Sequence, residues 1–144
     1  MKVSFFNRPK IVKESFLRKI IKEVLKGEQK QNTSLEIAFL AEKEIKRLNL
    51  RYRKKNRSTD VLSFAGRSGI GFPRGFWGKT LGQVIICNKV VKDNAKKADE
   101  LFKRELARVL IHGTLHLLGY EHEKGGKKFR IMMAKQEKYL FHIK

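Results

Sequence analysis

Apolar positions recur along the chain with two periods. Ile11, Phe16, Leu17, Ile20, Ile21, Val24 and Leu25 keep the three- and four-residue spacing of one helix face. That spacing predicts an amphipathic helix, opened by Pro9 near its first position and closed by Gly27. Val3–Asn7 is short and aromatic, and Leu35–Leu40 is densely apolar after a turn at Asn32–Ser34; both read as strands. Ala41–Leu50 returns to helical spacing, with Ile45 and Leu48 set among charges. Val61, Leu62 and Phe64 mark a strand over Thr59–Ala65, and Thr80–Cys87 marks another. Between them Gly66–Gly78 carries five glycines and one proline, which predicts an irregular loop joining the two strands as a hairpin. Asn88 is placed to cap a helix running to about Lys97, Ala98 or Asp99 starts another that reaches Gly119, and a last helix covers Lys128–His142 after Gly125–Gly126. About four strands, all in the first two-thirds, and five helices predict an α+β fold: a single domain over 1–144 with a small mixed four-stranded sheet and helices packed on it.

The helix before Gly119 differs from the others. Phe102, Leu106, Leu110, Gly113 and Leu117 form one apolar face, and Ile111, Leu115 and Leu118 make the far side apolar as well. A helix apolar all round is a central, buried one. It carries His112 and His116, and His122 follows, so three of the chain's four histidines fall within eleven residues. At i and i+4, the rings of His112 and His116 leave the same face one turn apart, close enough to bind one ion. Gly119 can end the helix in a left-handed conformation and let the chain bring His122 back as a third ligand. Three neutral nitrogen ligands with one open position are the pattern of a catalytic zinc. The competing reading is a pair of core histidines hydrogen-bonded to backbone or water. The spacing H-x3-H-x2-G-x2-H is that of the metzincin proteases, but their general-base glutamate is absent: Gly113 stands there. Peptide hydrolysis loses ground accordingly.

Composition adds the partner. The 144 residues include 34 Lys and Arg against 14 Asp and Glu, a formal net charge of +20. Such an excess predicts a polyanionic partner, nucleic acid first and an anionic membrane surface second. It excludes a binder of basic peptides. Hydrophobic residues make up 41%, enough for a core and too many for wholesale disorder. One cysteine, Cys87, excludes an internal disulfide framework and fits a reducing compartment. No apolar run approaches the ~20 residues needed to span a bilayer, and Met1–Asn7 lacks the apolar core and cleavage site of a signal peptide. A cytoplasmic protein is expected.

The residues from His112 to His122, His-Gly-Thr-Leu-His-Leu-Leu-Gly-Tyr-Glu-His, resemble the motif of the YbeY family of bacterial rRNA-maturation endoribonucleases. Tyr52-Arg53, Thr59-Asp-Val-Leu-Ser-Phe64, Leu81-Gly-Gln-Val-Ile-Ile-Cys87 and the Met133–Leu140 helix fall in family order. The resemblance covers most of the chain. It implies one zinc ion on His112, His116 and His122, with Arg53 as the family's functional arginine. It also implies cleavage of single-stranded RNA, not DNA, in 3′-end maturation of the small-subunit (16S) rRNA and in ribosome quality control. Gln83 departs from the pattern, since the family usually carries an acid after Leu-Gly.

Zinc-activated water is the expected nucleophile on the phosphodiester. Arg53 would pair with the phosphate and stabilise its developing charge. Glu121 and Glu123 are open as proton acceptors or as plain surface acids, and activation of a ribose hydroxyl is an open route. Lys43–Arg57 holds eight basic residues and one acid, a segment suited to backbone phosphates. Phe72, Phe76 and Trp77, with Arg67 and Arg74, are suited to stacking on bases or to capping the core. Cys87 reads as a small buried residue, His142 as surface, and Ser63 and Asp60 as structural or substrate-edge residues rather than a nucleophile and base. Two other readings compete: an assembly factor with a structural zinc, and a zinc hydrolase of peptides or small molecules.

Overall fold

Strands β1 (Lys2–Phe6) and β2 (Ser34–Phe39) pair in parallel, with Lys2 opposite Ser34 and Phe6 opposite Ala38. The structure, a computed structural model, describes residues 1–66, 80–120 and 126–143. A parallel pair needs a crossover, and helix α1 (Glu14–Gly27) makes it. Its buried face is Leu17, Ile20, Ile21, Val24 and Leu25, the stripe read from the sequence. The helix starts later than Pro9, and Ile11 is exposed. Pro9 instead accepts the Val12 N–H at 3.2 Å, and the Arg8 guanidinium bonds the Pro9 and Val12 carbonyls, holding the segment as a turn. At the other end the left-handed residue is Gln29 (φ 60°), not Gly27. Gly27 is needed for space: a Cβ there would lie 2.3 Å from the Tyr139 hydroxyl.

Helix α2 (Glu42–Arg53) extends past the expected Leu50 and stops where Lys54 turns left-handed (φ 61°). The Lys54 and Lys55 N–H groups then close on the Leu50 and Asn49 carbonyls. Strands β3 (Val61–Ala65) and β4 (Thr80–Ile86) form the predicted antiparallel pair, with Val61 opposite Ile86. The loop between them, with Arg67, Phe72, Arg74, Phe76 and Trp77, lies outside the described residues. β4 also pairs in parallel with β2, which gives a mixed sheet of order β1-β2-β4-β3.

Helices α3 (Asn88–Lys97), α4 (Phe102–Leu117) and α5 (Lys127–Phe141) follow. Cys87, not Asn88, holds the N-cap position of α3 and is fully buried. α4 begins later than the Ala98 or Asp99 expected. Asp99 is left-handed (φ 53°), and the Glu100 N–H reaches back to the Ala95 carbonyl at 2.8 Å, so those residues close α3. α4 packs against α1, α3, α5, β3 and β4, the central position its apolar surface predicted. One core lies between the sheet and the α1, α4 and α5 side; a second, with Ile45, Leu62, Phe64 and Ile85, lies under α2 on the other face. Among the described residues the result is the predicted α+β arrangement of four strands and five helices. Among the described residues no helix is long and apolar enough to cross a membrane.

Candidate active site

α4 lies close to the sheet because residue 113 has no side chain. A Cβ on Gly113 would come within 2.7 Å of Val84 Cγ1 and 3.2 Å of Val61 Cγ2 and Ser63 Oγ. The Ser63 hydroxyl donates to the Gly113 carbonyl at 3.1 Å, tying β3 to α4. Ser63 makes this structural contact and also lines the pocket beside the histidines. The same contact explains the missing glutamate. Position 113 faces the sheet, so a carboxylate there would meet packed aliphatic groups rather than water.

His112 and His116 stand beside this contact, both half-buried. They are less enclosed than the sequence implied, because they border an open pocket of about 290 Å³. The His112 Nδ1 is 2.7 Å from Gln136 Oε1, and the His116 Nδ1 is 3.0 Å from the Tyr120 carbonyl. Both partners are acceptors, so each Nδ1 carries a proton, and in the neutral ring the lone pair is then on Nε2. An outer hydrogen bond of this kind fixes the tautomer and ring angle of a metal-binding histidine. The donor set therefore fits a zinc ion, as far as these two ligands go. Among the described residues no third His, Cys, Asp or Glu joins them. The expected third ligand, His122, and its neighbours Glu121 and Glu123 lie outside the described residues. The turn toward them takes the expected form: Gly119 has φ 102°, and the Tyr120 N–H closes on the Leu115 carbonyl.

Arg53 reaches the same pocket from the far side of the sheet. It ends α2, whose Ile45 packs on the opposite face from α4. Its Nη2 donates to the Ser63 carbonyl at 2.8 Å, and its guanidinium sits 5.9 Å from the Phe64 ring centre. β3 is the edge strand of the described sheet, and Arg53 bonds its backbone there. Lys55 and Arg57 line the pocket as well, with Asp60 the one acid among the described lining residues. Arg57 also borders a second, neighbouring cavity with Lys43 and Lys46. The basic run thus flanks the two histidines.

Gln83 lies elsewhere. Val84 meets α4, so its neighbour Gln83 points to the opposite face of the sheet. There its amide donates to the buried Glu36 carboxylate at 2.7 Å, and burial pushes the Glu36 carboxyl above its usual value. A metal role for position 83 has no geometric basis.

Two residues of the site escaped the sequence reading. Gln136 is 3% exposed and falls in step with buried Met132, Tyr139 and Leu140. Asn49 is equally buried in step with Ile45, and its amide donates to the Arg57 carbonyl. A polar side chain on the apolar stripe of a helix was the available signal for both.

Comparison with known proteins shows the family of the chain. The family model described as Endoribonuclease YbeY matches residues 4–144. The Endoribonuclease YbeY of Thermotoga maritima is 34% identical over 127 residues, 88% of this chain and 78% of that protein. The one from Buchnera aphidicola subsp. Schizaphis graminum is 36% identical over 138 residues, 95% of this chain and 83% of that protein. The one from Aquifex aeolicus is 41% identical over 102 residues, 69% of this chain and 65% of that protein. The solution structure of a Thermotoga maritima protein superposes with a TM-score of 0.65 at 29% identity, over 98% of this chain and 88% of that one. With the family matched along nearly its whole length, this chain belongs to the YbeY endoribonuclease family.

Proposed function

We propose that the protein is a zinc-dependent endoribonuclease that cuts single-stranded RNA in 3′-end maturation of small-subunit (16S) rRNA and in ribosome quality control, in the cytoplasm. The observation that supports this most directly is the pairing of two tautomer-fixed histidines with Arg53 around one cation-lined pocket. His112, His116 and His122 would hold one zinc ion. When bound, zinc supplies Lewis acidity and makes water a competent nucleophile at neutral pH. Gln136 and the Tyr120 carbonyl retain the Nδ1 protons and keep both Nε2 lone pairs directed to one side of α4. Arg53, oriented by the Ser63 carbonyl, pairs with the scissile phosphate and stabilises the charge that builds on it. It is a donor only and takes no proton. Lys55 and Arg57 hold flanking phosphates. A peptide substrate is disfavoured because residue 113 offers no base and the pocket rim is cationic.

The test is cleavage of a single-stranded rRNA precursor by purified protein, with and without chelator. Chelation and His112→Ala should each abolish cutting. Arg53→Ala should reduce it on the order of 10²- to 10³-fold, the cost of losing one charge-stabilising donor. Both variants should keep most of the RNA affinity. Undiminished cleavage by His112→Ala would leave no catalytic role for the histidine site, and the assembly-factor reading would then stand.

A further inference from the structure

We infer that Glu28, just past the end of α1, is a positioning residue for the His116 imidazole, acting through Tyr120. Its relevance to metal binding rests on the zinc reading above. The Glu28 side chain is 7% exposed. Its carboxylate accepts the Tyr120 hydroxyl at 2.5 Å, the Tyr139 hydroxyl, and the Lys135 ammonium at 3.0 and 3.2 Å. Burial pushes this carboxyl up, but the two hydroxyls and the ammonium outweigh it and hold it below the usual carboxylate value. A buried carboxylate with donors from two separate segments is a fixed anchor.

Tyr120 is held at both ends. Its hydroxyl is on Glu28, and its backbone carbonyl is the acceptor that fixes the His116 Nδ1 proton. No helical geometry sets that carbonyl, because Gly119 has already left the helix at φ 102°. The Tyr120 N–H closes on the Leu115 carbonyl, and the ring tether to Glu28 adds a second constraint through the side chain. Tyr120 is also the last described residue before His122. α5 is locked to the same anchor: Lys135 and Tyr139 bind Glu28, while Gln136 between them holds His112. The absence of a side chain at Gly27 keeps room for the Tyr139 hydroxyl.

The experiment compares Tyr120→Phe with Tyr139→Phe. Each variant deletes one hydroxyl on Glu28 and keeps its ring, so a general loosening affects both. Tyr120 also bonds the His116 Nδ1 through its carbonyl. Nitrogen-15 NMR of the metal-free protein reads the tautomer of each histidine at fixed pH. Tyr120→Phe should erode the Nδ1–H preference of His116 and leave His112 unchanged; Tyr139→Phe should leave both unchanged. Cobalt(II) titration should show a Kd weakened by up to about 10-fold in Tyr120→Phe, the low end of the range for disturbing an outer-sphere partner, because the carbonyl itself remains, and little change in Tyr139→Phe. An unaltered His116 tautomer in folded Tyr120→Phe, or equal effects of the two variants, overturns the assignment. The tautomer decides the tether, and cobalt binding by the wild-type protein decides the zinc reading, so the two can fail separately.

Discussion

His112 and His116 differ from ordinary surface histidines in where their Nδ1 protons go. Each proton is given to an acceptor placed by another element, one on α5 and one on the turn after Gly119. That is a residue-level device, and a second buried polar pair across the sheet shows the contrast. Glu36 and Gln83 bond each other, buried on the face of the sheet away from α4. Burial raises the Glu36 carboxyl, so the folded protein binds that proton more tightly than the unfolded chain. The stabilising contribution of Glu36 is therefore complete below its ordinary value near ~4.3 and is lost as pH rises through the folded value. Above that range burial of the ionisable carboxyl is a cost. Glu36→Gln keeps an acceptor for Gln83 and removes the charge. It should raise Tm at pH 7 by a few degrees, as roughly 1 kcal/mol does in a domain of this size. At pH 4 the gain should shrink. Thermal unfolding at the two pH values decides; a variant less stable at pH 7 than at pH 4, relative to wild type, would show that the carboxylate is compensated.

Between elements, the contact that matters most is α4 on β3 and β4 across Gly113. Gly113→Ala improves helix propensity by up to ~1 kcal/mol. The new Cβ would press on Val84 Cγ1, a buried, β-branched side chain with little freedom to yield. Overpacking of that kind costs about 1–3 kcal/mol, so the alanine variant should unfold at lower denaturant. Gly113→Glu should be worse, and should not gain peptidase activity, since its carboxylate would be driven into the sheet. Denaturant midpoints for the two variants measure this, and a glutamate variant as stable as wild type would show that α4 can slide. These contacts also mark how far the sequence could be read. The stripes of α1 and α4 and the β3–β4 pair were legible because each is set by local periodicity. The start of α4 was not, because Asp99 in a left-handed conformation gives no compositional sign. Nor was the insertion of β4 between β2 and β3, since strand order depends on contacts distant in sequence. The histidine pair was legible from its i, i+4 spacing. Glu28 was not, because it meets Tyr120 and Tyr139 only through the fold.

At the scale of the whole molecule, the +20 charge acquires a direction. Lys43, Lys46 and Arg57 border one cavity, and Arg57, Lys55 and Arg53 border the next, which also holds the histidines. A single strand laid along both cavities would meet five cations before reaching the candidate metal ligands. Binding a single strand releases counterions in proportion to the phosphates neutralised, with a slope of about −0.7 per phosphate in log K against log salt. Five contacts give roughly −3.5. Lys43→Ala combined with Lys46→Ala should flatten that slope by about 1.4 and weaken binding similarly for all sequences, because phosphates carry no base information. The turnover of bound RNA should be unchanged, since neither lysine borders the histidine pocket. A slope unaffected by the double substitution would place the RNA path elsewhere on the surface. A loss of turnover at saturating RNA would mean instead that the outer cavity takes part in the chemical step.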